Sequence, residues 1–272
     1  MQKTTVKKIN TGLKVAVIVY IVCGTLLYFF QEKILFHALE LPVTHQFSFQ
    51  APFNEINLPV NAEKNLNIVQ FPVPDAVCKG VVLYFHGNRK NIERYAPFAA
   101  NFTRNNYAVW MIDYPGFGKS TGKRTEQILY ADAVTLYKMA RAKFSKDNII
   151  IYGKSLGTGI AAQLASIRDC KRVILETPYY SMDALMKHYA FIYPVNWLTK
   201  YHFPTYSYFK KIEVPITLFH GTRDEVIPYS QAVQLAKENP GVELVPIEKG
   251  NHNNLNESPV FHQHLDALLQ LP

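Results

Sequence analysis

The chain has 272 residues, 48% of them hydrophobic, enough for one large α/β domain with a buried core. Its formal charge of +8 is uneven: Lys3, Lys7, Lys8 and Lys14 precede the first acid, which takes four from 29 basic residues and leaves 25 against 21 acidic ones, and no nucleic-acid motif accompanies so small an excess. Composition excludes a disordered chain, a fibrous repeat and a disulfide scaffold; Cys23, Cys78 and Cys170 show neither CxxC nor metal-ligand spacing and read as free thiols.

Residues 15–30, "VAVIVYIVCGTLLYFF", carry no charge, and Leu13 lengthens the run if Lys14 snorkels. About 17–25 helical residues cross a bilayer core, so the run is short but sufficient for a single anchor over residues 13–30. Four lysines before it, and Gln31-Glu32-Lys33 after it, place the amino terminus in the cytoplasm and the rest of the chain on the far side. A cleaved signal peptide is the rival, with "VCG" at 22–24 as a poor cleavage site; the apolar run continuing to Phe30 favours the anchor. No face is polar enough for a buried amphipathic helix, and Val22 stands where a lipoprotein signal needs a small residue before Cys23. The chain thus divides into residues 1–33, lysines and anchor, and 34–272, a folded domain.

Beyond the anchor, short apolar runs alternate with helical patterns. Residues 53–60 and 65–73 read as a hairpin. Further strands are expected at 80–85, 107–113, 148–152, 172–175, 216–220 and 243–247, and helices at 91–105, 125–144, 158–167, 229–239 and 259–271. "GVVLYF" at 80–85 is apolar throughout, as a parallel strand buried on both faces must be. The alternation predicts an α/β fold: an eight-stranded, mostly parallel sheet with helices on both faces. Residues 177–215 break the rhythm, with no clear strand and many aromatics. They read as a small helical insertion after the sixth strand, either a local core or a lid over an apolar pocket.

Four strands end in chemistry-bearing residues: "HGNRKN" from His86, "GKSLG" from Gly153, "HGTRDEVIP" from His220 and "EKGNHNNL" from Glu248. In an open α/β sheet the ligand crevice lies at these carboxyl ends. Gly-x-Ser-x-Gly alone is a weak signal, but here it joins an apolar strand to a helix of small residues, the context of a nucleophile elbow. Ser155 is the expected nucleophile, at a helix amino terminus that favours negative charge. The N–H of Leu156 would donate to an oxyanion. The N–H of Asn88, after His86-Gly87, is the second candidate donor, against a role only in turn geometry. A serine hydroxyl needs a base, and the base an orienting carboxylate. His252, in a polar turn after the last strand, is the expected base. Asp224 is the expected acid, in the order serine, acid, histidine; Glu176 competes for the role, and Glu225 stands next to Asp224. His86 and His220 are expected to fix loops. His262 and His264 face apart on a helix and make no metal pair.

"GFGKSTG" at 116–122 looks like a phosphate loop, but Asp113 stands where Walker A needs glycine. No GxGxxG opens the first βα unit, and no HExxH or paired Cys/His set points to zinc. The chemistry as read needs no cofactor.

"YFHGN", "IDYPGFGKSTG", "YGKSLGTG", "HGTRDEVIP" and "GNHNN", in this order, resemble the membrane-anchored α/β-hydrolase family, which includes fungal bud-emergence-type hydrolases and animal depalmitoylating α/β-hydrolase-domain proteins. The resemblance spans residues 31–271 and implies Ser155, Asp224 and His252 as nucleophile, acid and base. It also implies carboxylic esters, lipid esters, S-acyl thioesters or some peptides as substrates. Two positions depart from the family pattern: Arg89-Lys90 follows HGN where Ala-Gly is common, and Pro115 follows Asp-Tyr where arginine is common. Arg89, Lys90, Lys154 and Arg223 are either solvated surface charges or a field that attracts an anionic substrate or headgroup. The expectation is a membrane-anchored serine hydrolase of esters or thioesters with an apolar acyl part, needing no nucleic acid. The alternatives are a serine peptidase and a catalytically silent binding protein on the same fold.

Overall fold

A computed structural model describes residues 2–271, with side chains from Thr11 onward, so Lys3, Lys7 and Lys8 lie outside the described side chains. Helix α1 (Gln2–Leu35) runs two residues past the boundary expected at 33 and delivers Phe36 into the buried core. A two-residue strand, β1 (His37–Ala38), follows. Next come the hairpin β2 (Asn54–Asn61) and β3 (Lys64–Phe71), then β4 (Gly80–Phe85) and a second short strand, β5 (Arg89–Lys90).

The helix expected at 91–105 is broken into α2 (Ile92–Tyr95), a 3-10 turn (Ala96–Ala99) and α3 (Ala100–Thr103). Pro97, which has no N–H to donate, stands in the turn. β6 (Tyr107–Ile112) leads to α4 (Glu126–Arg141), whose N-cap Thr125 accepts from the Ile128 N–H at 3.2 Å. β7 (Ile149–Lys154) and α5 (Gly157–Ala165) then meet at a tight turn. After β8 (Arg172–Glu176) come three short helices, α6 (Met182–Tyr189), α7 (Val195–Leu198) and α8 (Thr205–Phe209). The chain finishes with β9 (Ile216–Gly221), α9 (Tyr229–Ala236), β10 (Val242–Ile247) and α10 (Pro259–Gln270).

Eight strands form one sheet in the order β10-β9-β8-β7-β4-β6-β3-β2. Every pair from β10 to β6 is parallel; β3 is antiparallel to both β6 and β2. Strand alternation then sorts the core into two layers. Val81, Leu83 and Phe85 of β4 pack with residues of α4, α5 and the insertion; Val82 and Tyr84 pack with α2, α3 and α10. After β6 the chain crosses β4 to place β7 on its other side, which opens a crevice at the carboxyl ends of β4 and β7. This is the α/β-hydrolase arrangement expected from the sequence, to which the short parallel pair β1–β5 adds a seam that was not expected.

That seam ties α1 to the loop after β4. The Asn88 Nδ2 donates to the Leu35 carbonyl at 2.7 Å, and the His37 and Leu39 N–H groups donate to the carbonyls of Asn88 and Lys90 at 2.9 and 3.0 Å. Phe36 packs edge-on against Tyr201, with centroids 4.9 Å apart, while the Arg124 guanidinium lies 4.2 Å over its ring.

The insertion is core on one side and exposed on the other. Tyr179, Tyr201, Phe203 and Phe209 are buried core, whereas Tyr189, Phe191 and Trp197 are exposed. Glu126, in the first turn of α4, holds the insertion down: its carboxylate accepts from the His202 and Phe203 N–H groups at 2.6 and 3.1 Å and from the Tyr130 hydroxyl at 2.7 Å. Glu126→Ala orphans one buried and one part-buried N–H donor and removes charge-assisted bonds, so a loss of about 3 kcal/mol is expected. It should show as a lower thermal midpoint and faster proteolysis within the insertion.

Candidate active site

The turn between β7 and α5 places Ser155 at φ 51°, the left-handed region, where strain of about 1–3 kcal/mol persists only if its surroundings enforce it. Here they do. The Ser155 N–H donates to the Glu176 carbonyl at 2.9 Å, and its own carbonyl accepts from Thr158 N–H at 2.9 Å. The flanking glycines are steric requirements. A Cβ on Gly153 would stand 2.6 Å from the Gly157 carbonyl oxygen, and one on Gly157 would collide with the Phe85 carbonyl. Strand, turn and helix thus hold Ser155 at the crevice, beside the loop after β4: a Cβ added to Gly87 would lie 3.5 Å from the Ser155 Cβ.

His252 arrives from the loop after β10. That loop is fastened by its own asparagines: Asn251 Oδ1 accepts from the N–H groups of Asn253 and Asn254 at 2.9 and 3.1 Å, and Asn254 Oδ1 accepts from Asn251 N–H at 2.8 Å. The His252 Nε2 lies 3.0 Å from Ser155 Oγ, and its Nδ1 lies 2.8 Å from Asp224 Oδ2. Asp224 sits in the loop after β9, where its Oδ1 accepts from the Val226 and Ile227 N–H groups, each at 2.8 Å. His220 Nε2 reaches the Ile227 carbonyl at 2.9 Å and Asp224 Oδ2 at 3.3 Å. Burial alone would raise the Asp224 carboxyl. The bonds from His220 and His252, the His252 charge and the Ile227 N–H outweigh it and hold the group well below the usual carboxylate range.

The two rival acids stand elsewhere. Glu225 is exposed at the rim of the cleft. Glu176 is fully buried, bonded to the Tyr152 hydroxyl and the Lys154 ammonium, with Asn256 Nδ2 at 3.2 Å. Lys154 is therefore not the solvated surface charge or free cation expected of it. It is 6% exposed and spends its charge on Glu176, the residue opposite it in the β7–β8 register. Burial raises the Tyr152 hydroxyl far above its usual range, so it stays a neutral donor in this cluster.

Arg89 and Lys90 are exposed, and of the two only Arg89 faces the cleft. Arg223 is exposed as well. His86 fixes the loop after β4, with Nδ1 2.7 Å from the Gly87 carbonyl and Nε2 3.1 Å from Asp113. Leu156 caps α5 as its N-cap residue, and Asn88 lines the cleft.

Ser155 and His252 open on a cleft of about 430 Å³. Arg89, Arg94, Tyr95 and Phe98 line one side, and Ile34, His37 and Val226 another. The contribution of Ile34, at the end of α1, and of His37, in the two-residue β1, has no signal in a sequence reading, because it depends on pairing with a segment distant in sequence. For the Lys154–Glu176 pair the sequence shows only two charged residues at the ends of apolar strands, and it is the β7–β8 register that brings them together. Among the described residues no group of three or more His, Cys, Asp or Glu side chains is arranged to hold a metal ion.

The family model described as serine aminopeptidase, S33, matches residues 76–210. Alpha/beta hydrolase domain-containing protein 17C of Xenopus tropicalis is 33% identical over 195 residues, 70% of this chain and 60% of the relative. The human protein 17B is 32% identical over 202 residues, 71% of this chain and 66% of the relative. The chain thus spans about 60% of the length of the first relatives it matches. Among solved structures, an esterase from Pyrococcus furiosus superposes with a TM-score of 0.65 at 18% identity, covering 86% of this chain and 96% of its own. Alpha/beta hydrolase domain-containing protein 10 from mouse gives 0.57 at 16% identity, covering 79% and 96%. Sheet order, strained serine turn and sequence relatives agree, and the chain belongs to the α/β-hydrolase family.

Proposed function

We propose that the protein is a membrane-anchored serine hydrolase that cleaves carboxylic ester or thioester bonds with an apolar acyl part, by way of an acyl-enzyme. The carrying observation is the unbroken hydrogen-bonded line from Ser155 Oγ through His252 to Asp224 at the crevice of the sheet. His252 takes the Ser155 proton as the oxygen attacks the carbonyl carbon, and the carbonyl electrons move onto an oxyanion. The backbone N–H groups of Leu156 and Asn88 are the proposed donors to that oxyanion. His252 then protonates the departing alcohol or thiol, and later removes a proton from the water that releases the acid and restores Ser155. Asp224 orients the imidazole and stabilises its cationic form.

Residues 11–35 of α1 form a helix long and apolar enough to cross a membrane, with a mean hydropathy of 2.2 over its best window. We read residues 1–33 as the cytoplasmic lysines and anchor and the rest as the hydrolase domain on the non-cytoplasmic side. Protease added outside sealed vesicles whose non-cytoplasmic membrane face is outward should digest the domain and spare the lysine-bearing terminus; complete protection of the domain would reverse the assignment.

A fluorophosphonate probe should label the folded protein at Ser155 and leave Ser155→Ala unlabelled. Ser155→Ala should lower kcat by at least about four orders of magnitude. Failure of the wild type to label would favour a silent scaffold, and turnover of aminoacyl amides in preference to esters would favour a peptidase.

Asp224 also predicts a pH dependence. Its folded value is depressed, so the stability it contributes is present above the unfolded carboxylate value of about 3.9 and is lost as pH falls through the folded value. Activity lost between neutrality and pH of about 4 should therefore not track Asp224 protonation. Asp224→Asn should lower kcat by about 10⁴ across the neutral range, and should flatten the fall in stability below pH of about 4.

A further inference from the structure

α1 is more than a tether in this fold, because the insertion rides along it. Gln31 Nε2 donates to the Leu198 carbonyl at 3.0 Å, and its Oε1 accepts from Lys200 N–H at 2.7 Å. Eleven residues earlier on α1, the Tyr20 hydroxyl donates to the Ile192 carbonyl at 3.0 Å, and the Tyr20 and Tyr193 rings stack with centroids 4.5 Å apart. Gly24 makes room for this, since a Cβ there would touch the Tyr193 ring at 3.0 Å. At 1.5 Å of rise per residue, the contact runs for about 16 Å along the apolar helix. That is about half the hydrocarbon thickness of a bilayer. The outward side of the insertion's tip is apolar, with Phe191 76%, Ile192 57% and Trp197 86% exposed. Such a patch beside a spanning helix fits hydrocarbon better than water.

Two hollows lie between α1 and α6. One, of about 200 Å³, shares Ile34, Asn88 and Val226 with the cleft at Ser155. The other, of about 390 Å³, shares Ile34, Met186 and Tyr189 with the first and reaches the exposed tip at Phe191 and Ile192. An apolar trough therefore leads from the reactive serine to the face of the protein that adjoins the membrane span. Its polar end is the cleft, with Arg89 and Arg94 on the wall.

We propose that this trough holds the acyl chain of a bilayer-resident ester or thioester, which enters sideways from the leaflet between α1 and α6. The scissile carbonyl then stops at Ser155, where the lining changes from apolar to polar. The occupant is a hydrocarbon chain, because the trough joins the reactive cleft to the span and is walled largely by Ile34, Leu185, Met186 and Tyr189. The inference rests on the hydrolase reading above and specifies its substrate.

Two measurements on the full-length protein in phosphatidylcholine vesicles test it. The chain has two tryptophans, and Trp110 is buried in β6. Lipids brominated on their acyl chains should quench wild-type fluorescence, and Trp197→Phe should abolish that quenching; equal quenching of the two proteins would overturn membrane insertion of the tip. Met186→Trp fills the trough. It should lower the ratio of kcat/KM for a hexadecanoyl thioester to that for a butanoyl thioester by at least about ten-fold. Ile34→Trp, on the opposite wall, should do the same if Met186→Trp misfolds. A variant that still labels with fluorophosphonate but keeps the wild-type ratio overturns the trough alone. Absence of both label and turnover in the wild type overturns the hydrolase reading, and the trough's role with it.

Discussion

A single left-handed residue organises the crevice. At Ser155 the backbone leaves β7 and enters α5 without a loop between them, and that abruptness pushes the hydroxyl out of the sheet. The conformation is costly in isolation, so everything around it is arranged to leave no alternative. Gly153 and Gly157 remove the side chains that would collide, β8 accepts the serine N–H, and the following helix takes its carbonyl. Once the turn is fixed, the other pieces need only come within reach. The loops after β9 and β10 do so because parallel strands deliver their ends to one edge.

The second constraint is electrostatic. Asp224, Glu176 and Asp113 are all buried carboxylates near this edge, and each is committed to a different partner. Asp224 faces His252 and His220, Glu176 faces Lys154 and Tyr152, and Asp113 faces His86. Burial pushes the Asp113 carboxyl up against the pull of His86, whereas Asp224, with four acceptor contacts to histidines and backbone, moves the other way. The crevice is thus a set of separate pairs rather than one shared pool of charge. This explains how a lysine can stand immediately before Ser155 without opposing the imidazolium that forms on His252 during the proposed reaction.

Much of this was legible from the chain. Continuous apolar runs such as 80–85 mark strands buried on both faces, and Thr125 marks the start of α4 by the chemistry of its side chain. Ser155, Asp224 and His252 could be placed at strand ends because glycine, asparagine and aspartate cluster there. What escaped was whatever depends on contact between segments distant in sequence. Residues 35–41 carry no periodic signal, yet they pair with 88–90 and with Gly118. The pairing of Lys154 with Glu176 needs a register, which spacing alone does not supply. The helix expected at 91–105 breaks at Pro97, whose missing N–H turns the chain into a 3-10 turn there.

The Asn88–Leu35 bond has a consequence for how such a protein could be set free. The residue that would stabilise the oxyanion through its N–H spends its side-chain amide on the last carbonyl of α1, and the strand that follows it pairs with the chain just beyond that helix. A cut just before Leu35 would leave this joint intact, because the Leu35 carbonyl stays with the domain. A cut between Leu35 and Phe36 would take that carbonyl away and leave Asn88 Nδ2 unpartnered, although β1 would remain to pair with β5. For the anchored form proposed above, release by cleavage and integrity of the loop at Asn88 are therefore linked by the position of a single peptide bond, and two shortened chains differing by one residue would not be equivalent.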